Sequence, residues 1–245
     1  MKNTAQENQA VAAAQTLPRF DMYAGIHKAL RALMSDILMT VGRMDPQDPQ
    51  ELAAVSDRVL ELLDFCAAHL KHENTFVHTA MEARAPGSSE RIAHEHDDHL
   101  SHISSLKQTV AALRACEAAH APALAQALYL ALTLFVAENF QHMHMEETAH
   151  NAVLWARYTD AELVGIHDAL VASIAPADMM YTVRWMVPAM NPAERAGMLG
   201  GMQAHAPAPA FAAALDVVRP HLTQSEWAKL SRALGLPPVP GLVAA

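Results

Sequence analysis

Along most of the chain, apolar residues return at steps of three and four, the spacing of a helix that buries one face. The first such run, from Pro18 on, is Phe20, Tyr23, His27, Leu30, Met34, Ile37 and Val41, and Gly42 to Pro49 breaks it. The second runs Leu52, Val55, Val59, Leu62, Cys66, His69, Glu73, Phe76 and Ala80. Asp48 is its expected N-cap, Pro49 takes the first helical position and Glu51 completes a capping-box arrangement. Ala85-Pro86-Gly87-Ser88 reads as a turn. The third run is Ile92, His96, His99, Ile103, Leu106, Val110 and Leu113. Pro122 opens the fourth, which reads Leu124, Leu128, Ala131, Phe135, Asn139, His142, Glu146, Ala149 and Val153. Four long helices with short connections predict an all-α chain with an up-down antiparallel four-helix bundle over residues 17–158.

Thr159 with Glu162 forms a second capping-box pattern, and shorter helical patterns follow. Residues 159–245 are expected to form a helical C-terminal extension, broken at Pro176, at Asn191-Pro192 and from Ala206 to Pro209. Thr223 with Glu226 caps its last helix. Residues 1–16 read as a flexible polar tail, and the closing PPVPGLVAA as extended. The extension holds no catalytic motif. Its Arg184-Trp185-Met186, with Met179, Met180 and Met190, predicts an apolar face, for packing within the chain or on a second copy or protein partner.

Composition narrows the function. Only nine glycines and abundant Ala, Leu and Met favour helices. A net charge of −9 argues against a nucleic-acid partner, because phosphate binding needs a basic face. Cys66 and Cys116 are the only cysteines and form no C-x-x-C, so neither a disulfide framework nor a zinc ribbon is expected. The N-terminus has no apolar stretch of signal-peptide length, and no run of about 18 apolar residues is present to span a membrane. The expected location is the cytoplasm.

The chemistry lies in what interrupts the apolar stripes. His27, His69, Glu73, His96, His99, Asn139, His142 and Glu146 all stand at positions that should be apolar, and each of the four helices contributes at least one. Burying such a group without a partner costs about 1–3 kcal/mol, against a total stability of about 5–15 kcal/mol. The layer must therefore be satisfied by mutual hydrogen bonds or by metal. A single histidine on an apolar stripe is more often a core residue than a ligand; five with two glutamates favour metal. His69/Glu73 and His142/Glu146 are both H-x-x-x-E pairs, which place both side chains on one helix face. Imidazole and carboxylate without thiolate suit iron, manganese or zinc, and paired carboxylates favour two bridged ions.

The arrangement resembles the hemerythrin-like, HHE cation-binding family over about residues 20–157. The family motif is a histidine in the first helix, H-x-x-x-E in the second, histidine in the third and H-x-x-x-E in the fourth. Here these positions are His27, His69 with Glu73, the His96 region, and His142 with Glu146; Glu95-His96 and Glu146-Glu147 also match its usual pairs. The resemblance implies a cofactor of two iron ions, or manganese or zinc, with an oxo or hydroxo bridge. Two departures set the chain apart from the family's oxygen carriers. The third helix has His96-x-x-His99 with Leu100 following, and the fourth places Glu146 four residues after His142, not an Asp five after.

With His99 as fifth histidine, one iron would keep one open position; without it, both irons would be open. Tyr23, one turn before His27, is placed to hydrogen-bond a bound oxygen species. His78, Asn139 and His150 are expected to support the ligands, not to bind metal. Cys66 is expected to be a small core residue.

Three readings follow: a diiron protein that binds or senses O2 or NO, a diiron redox or iron-handling enzyme, and a structural bundle with a fortuitous polar layer. No substrate-binding residue is evident, so the sequence leaves the question of enzyme activity open.

Overall fold

The computed structural model describes residues 19–238. The tail expected over residues 1–16, and residues 239–245 of the expected extended end, lie outside that range. Among the described residues every regular element is helical. Helix α1 is Ala24–Arg43. Helix α2 runs as Pro49–His72, then a π-turn over Glu73–His78, then Thr79–Arg84. Helix α3 is Glu90–Ala115. Helix α4 runs as Ala121–Met145, a second π-turn over Glu146–His150, and Asn151–Arg157. Shorter helices follow: α5 (Asp160–Ala172), α6 (Pro176–Ala189), α7 (Pro192–His205), α8 (Ala208–Val218) and α9 (Gln224–Ala233).

The helix starts follow their chemistry. Asp48 accepts hydrogen bonds from the Gln50 and Glu51 amides, with Pro49 in the first turn. Thr159/Glu162 and Thr223/Glu226 form capping boxes, and Asn191/Glu194 adds a third behind Pro192.

The chain divides into two compact units. Of the described residues, one holds 19–24 together with Leu33–Ser173; the other holds Gly25–Ala32 together with 174–238. Helix α5, which the sequence groups with the extension, lies in the first unit.

In the first unit α2 packs on α3 and α3 on α4. The stripe of α3 is buried as expected from Ile92 through Leu113, and so are Tyr23, Met34, Ile37 and Val41 of the α1 stripe; His27 and Leu30 of that stripe, in the second unit, are buried too. One end is closed by a cluster of Tyr23, Val77, Met81, Leu154 and Leu163. Polar contacts tie the same end: the Trp155 indole donates to Phe20 O at 2.9 Å, and Tyr158 Oη to Ala80 O at 2.6 Å.

The expected stripes of α2 and α4 do not run through as drawn. Past Glu73 the buried residues are Val77, His78, Ala80 and Met81; Ala80 is buried as drawn, but Phe76 is only half-buried and Val77 takes its place. Past Glu146 they are His150, Asn151 and Leu154, while Ala149 is exposed and Val153 half-buried. Both shifts are by one residue, because each π-turn inserts a residue into the helical repeat. Earlier in α4, Leu132 is buried where the drawn stripe has Ala131, which is exposed.

Helix α4 has an apolar outer face as well, with Leu130 and Leu134 each 58% exposed. The run Ala121–Arg157 is long and apolar enough, by length and composition, to cross a membrane, although it contains no uninterrupted apolar stretch of about 18 residues. Its buried face carries Asn139, His142 and Glu146.

The second unit has its own core of Val183, Val187, Leu199, Ala214, Val218, Leu230 and Leu234. Met179 and Met180 pack against it, so part of the expected apolar face is consumed within the chain. Met186 and Met190 lie against Gly25, where an added Cβ would stand 3.2 Å from the Met190 methyl. Arg195 is buried, donating to Val187 O, Pro188 O and the Glu226 carboxylate.

Candidate metal centre

Glu73 and Glu146 are 2% and 0% exposed, and each is the first residue of its π-turn. Two buried carboxylates at one place need positive charge to hold them. The groups around them are imidazoles. His69 Nε2 lies 3.1 Å from Glu73 Oε1, and His142 Nε2 lies 3.3 Å from Glu146 Oε1. His96 Nε2 stands between the two carboxylates, 3.5 Å from an oxygen of each.

Outer partners fix which ring nitrogens face inward. His96 Nδ1 donates to Asn74 Oδ1 at 2.7 Å, and His142 Nδ1 donates to Glu95 Oε2 at 3.0 Å. In the neutral rings both Nε2 atoms then carry lone pairs, yet they lie 3.0 Å apart and face carboxylate oxygens. Only a cation can occupy that space: a proton, or a metal ion. Outer hydrogen bonds of this kind orient metal-ligating histidines and raise their basicity. Burial pulls the His142 imidazole down, but its bonds to Glu146 and Glu95 outweigh this and lift it to about 9. Burial and Glu73 push the Glu146 carboxyl up, while His142 and His96 hold it below the usual carboxylate range.

Three sets of donor atoms could hold an ion, the members of each lying within 4.8 Å of one another. The first is His27, His69, Glu73 and Glu146; the second is Glu73, His96, His142 and Glu146. Both use the same two glutamates. His27 rides on α1, one continuous helix, and is fully buried. The third set is His78, Glu146 and His150.

Six of the seven ligand positions expected from the sequence are thus brought together in the first two sets. His99 is not. It is buried, with its ring edge-on to His142 at 4.7 Å and to Phe135 at 6.2 Å, and it belongs to none of the three sets. Burial, with His142 and His96 nearby, lowers its imidazole to about 4. Asn139 bonds its own helix, donating to Phe135 O at 2.8 Å. Tyr23 Oη is 3.2 Å from His150 Nδ1, and burial followed by the Glu146 and Glu73 charges raises its phenol. Cys66 is buried among the core residues, which pushes its thiol up to about 12.

The sequence assigns neither Asn74 nor Glu95 as a partner of His96 or His142. Both are adjacent to motif residues, Asn74 to Glu73 and Glu95 to His96, so sequence position alone could have suggested them. The burial of His78 and His150 follows from the π-turns, which no periodicity signals directly.

The donors fit a cation of the iron, manganese or zinc kind: imidazole and carboxylate, buried, with no thiolate among them. No curated protein and no solved structure matches the chain. A family profile does, for the hemerythrin HHE cation binding domain, over residues 20–153, more than half of the sequence. The residues matched are those that carry His27, both H-x-x-x-E pairs and His96, and the chain belongs to the hemerythrin HHE cation-binding family.

Proposed function

We propose that this chain holds two iron ions between its helices and binds or senses a small diatomic ligand, O2 or NO, there. The observation that carries the reading is the sharing of Glu73 and Glu146 between two four-residue donor sets, one completed by His27 and His69 and the other by His96 and His142. Two carboxylates common to two cations offset the repulsion between them, which one-ion sites do not require. A diiron centre held there would supply reversible ligand binding and electron transfer to such ligands. The chain supplies fixed donors, Nδ1 anchors at Asn74 and Glu95, and an apolar surround that excludes water.

A second reading, a diiron redox or iron-handling enzyme, is favoured by the place of His99. Outside both sets, it leaves each ion two histidines and the shared carboxylates, so that both ions keep room for an exogenous group. Chain purified from iron-replete cells, taken through anaerobic, O2 and NO conditions, tests both. A stable adduct spectrum with each gas supports sensing or carriage; consumption of the gas with turnover supports the enzyme. Normally folded protein without iron, manganese or zinc would overturn the metal reading itself. The up-down order of four helices around the centre is part of the same proposal, as are the absence of nucleic-acid and membrane partners and a cytoplasmic location.

A further inference from the structure

We propose a third cation position, at His78, Glu146 and His150, beside the pair proposed above, on which this inference rests. The donor atoms of the three side chains converge within 4.8 Å, and all three are buried, at 5%, 0% and 3% exposure. His78 Nε2 is sealed from solvent and has no hydrogen-bond partner. That is an expensive state for a polar nitrogen, and a bound cation relieves it.

The neighbours orient both rings for binding. His78 stacks on His96, with centroids 4.9 Å apart and planes 14° from parallel, and meets His150 edge-on at 5.4 Å. The Tyr23 hydroxyl engages Nδ1 of His150, which leaves Nε2 as the free donor atom. Glu146 can serve this set as well as the other two, because a carboxylate has two oxygens and about four lone-pair sites.

The π-turns create the position. Glu73–His78 and Glu146–His150 each wind their closing histidine back onto the buried face, one residue out of step with a regular helix. With three protein donors against four in each of the other sets, the third position is the weakest. It fills last and empties first, as a place where a divalent ion enters, leaves or is carried in excess of the resident pair.

Titration of metal-free chain with Co2+, followed by its visible absorption and by equilibrium dialysis, tests this. The expected result is three equivalents, the last weaker, falling to two in His78→Gln/His150→Gln with the first two unchanged. Glu73→Gln removes a donor of the first two sets and none of the third, so it should weaken the first two ions and spare the third. Saturation of the wild-type chain at two equivalents overturns the third position and leaves the dinuclear reading standing, whether or not the variants fold. A double histidine variant that binds as many ions as wild type overturns it equally. Full binding by Glu73→Gln overturns the dinuclear reading instead.

Discussion

Glu73 and Glu146 occupy equivalent places on two different helices: each follows a histidine by four residues and opens a π-turn. π-turns are rare within α-helices and concentrate at functional sites. Two of them beginning at the two buried carboxylates link the backbone irregularity to the centre, because the same insertion that ends the regular repeat turns His78 and His150 inward.

Removing either carboxylate should remove metal. Glu73→Gln and Glu146→Gln are expected to lower bound iron well below that of Glu82→Gln. Glu82 is an exposed carboxylate that accepts bonds from Gly87 N, Ser89 N and Ser89 Oγ, outside the centre. Iron per chain, measured on all three after identical purification, decides; equal contents would contradict the shared-carboxylate arrangement.

The outer partners should matter less than the ligands, but measurably. Asn74→Ala and Glu95→Ala free the Nδ1 atoms of His96 and His142 and are expected to weaken metal binding by about 10–100-fold with the helical signal kept. Competition with a chelator of known affinity reads the change. Unchanged affinity in both would mean that the rings are oriented by packing alone.

The π-turn of α2 can be tested by deletion. Removing exposed Thr75 takes out the inserted residue and brings Val77 and Met81 onto the positions that a regular repeat buries. The chain should therefore stay folded, while His78 loses its place relative to Glu73 and metal binding weakens. Circular dichroism and Co2+ titration together check this; a deletion variant that binds as wild type does would reduce the turn to a packing feature.

At the α2–α5 contact, the bonds to Arg84 and to Thr159 hold the Glu162 carboxyl down at about 2. Its folded value is depressed, so its contribution is complete above the ordinary carboxylate range near 4.3 and is lost as pH falls toward 2. The melting temperature of Glu162→Gln should fall below wild type at pH 7, and the gap should close between about pH 4.3 and 2. A gap that is constant through this window would show that the loss does not come from the Glu162 charge.

Much of this was legible in the residues. The stripes of α1 and α3 could be read position by position, because a regular helix repeats at 3.6 residues and no insertion disturbs it. The caps at Asp48, Thr159 and Thr223 were legible because a side-chain oxygen ahead of a helix has a single obvious use. All seven proposed ligand positions are polar residues standing on apolar stripes, and six of them share the first two donor sets. Beyond Glu73 and Glu146 a constant repeat puts Phe76, Ala149 and Val153 on the buried face, where the π-turns bury Val77, His150 and Leu154 instead. The trace of the slip is nonetheless present: Val77 to Met81 and His150 to Leu154 resume the four-residue step one position late. His99 illustrates a different limit, since periodicity gives the face of a helix but not the depth at which a ring stops. It is buried beside the ligands, against His142 and Phe135, without joining them.

The central claim is that two ions share Glu73 and Glu146, and the magnetic state of the bound iron tests it most directly. Chain loaded with two equivalents of iron and oxidised should give Mössbauer spectra in which all the iron belongs to a spin-coupled diferric pair, with no EPR signal from isolated high-spin ferric iron. Ions joined through common carboxylates and an oxo or hydroxo bridge couple; ions held separately do not. Iron that binds stoichiometrically but appears wholly as uncoupled ferric ions would contradict the account.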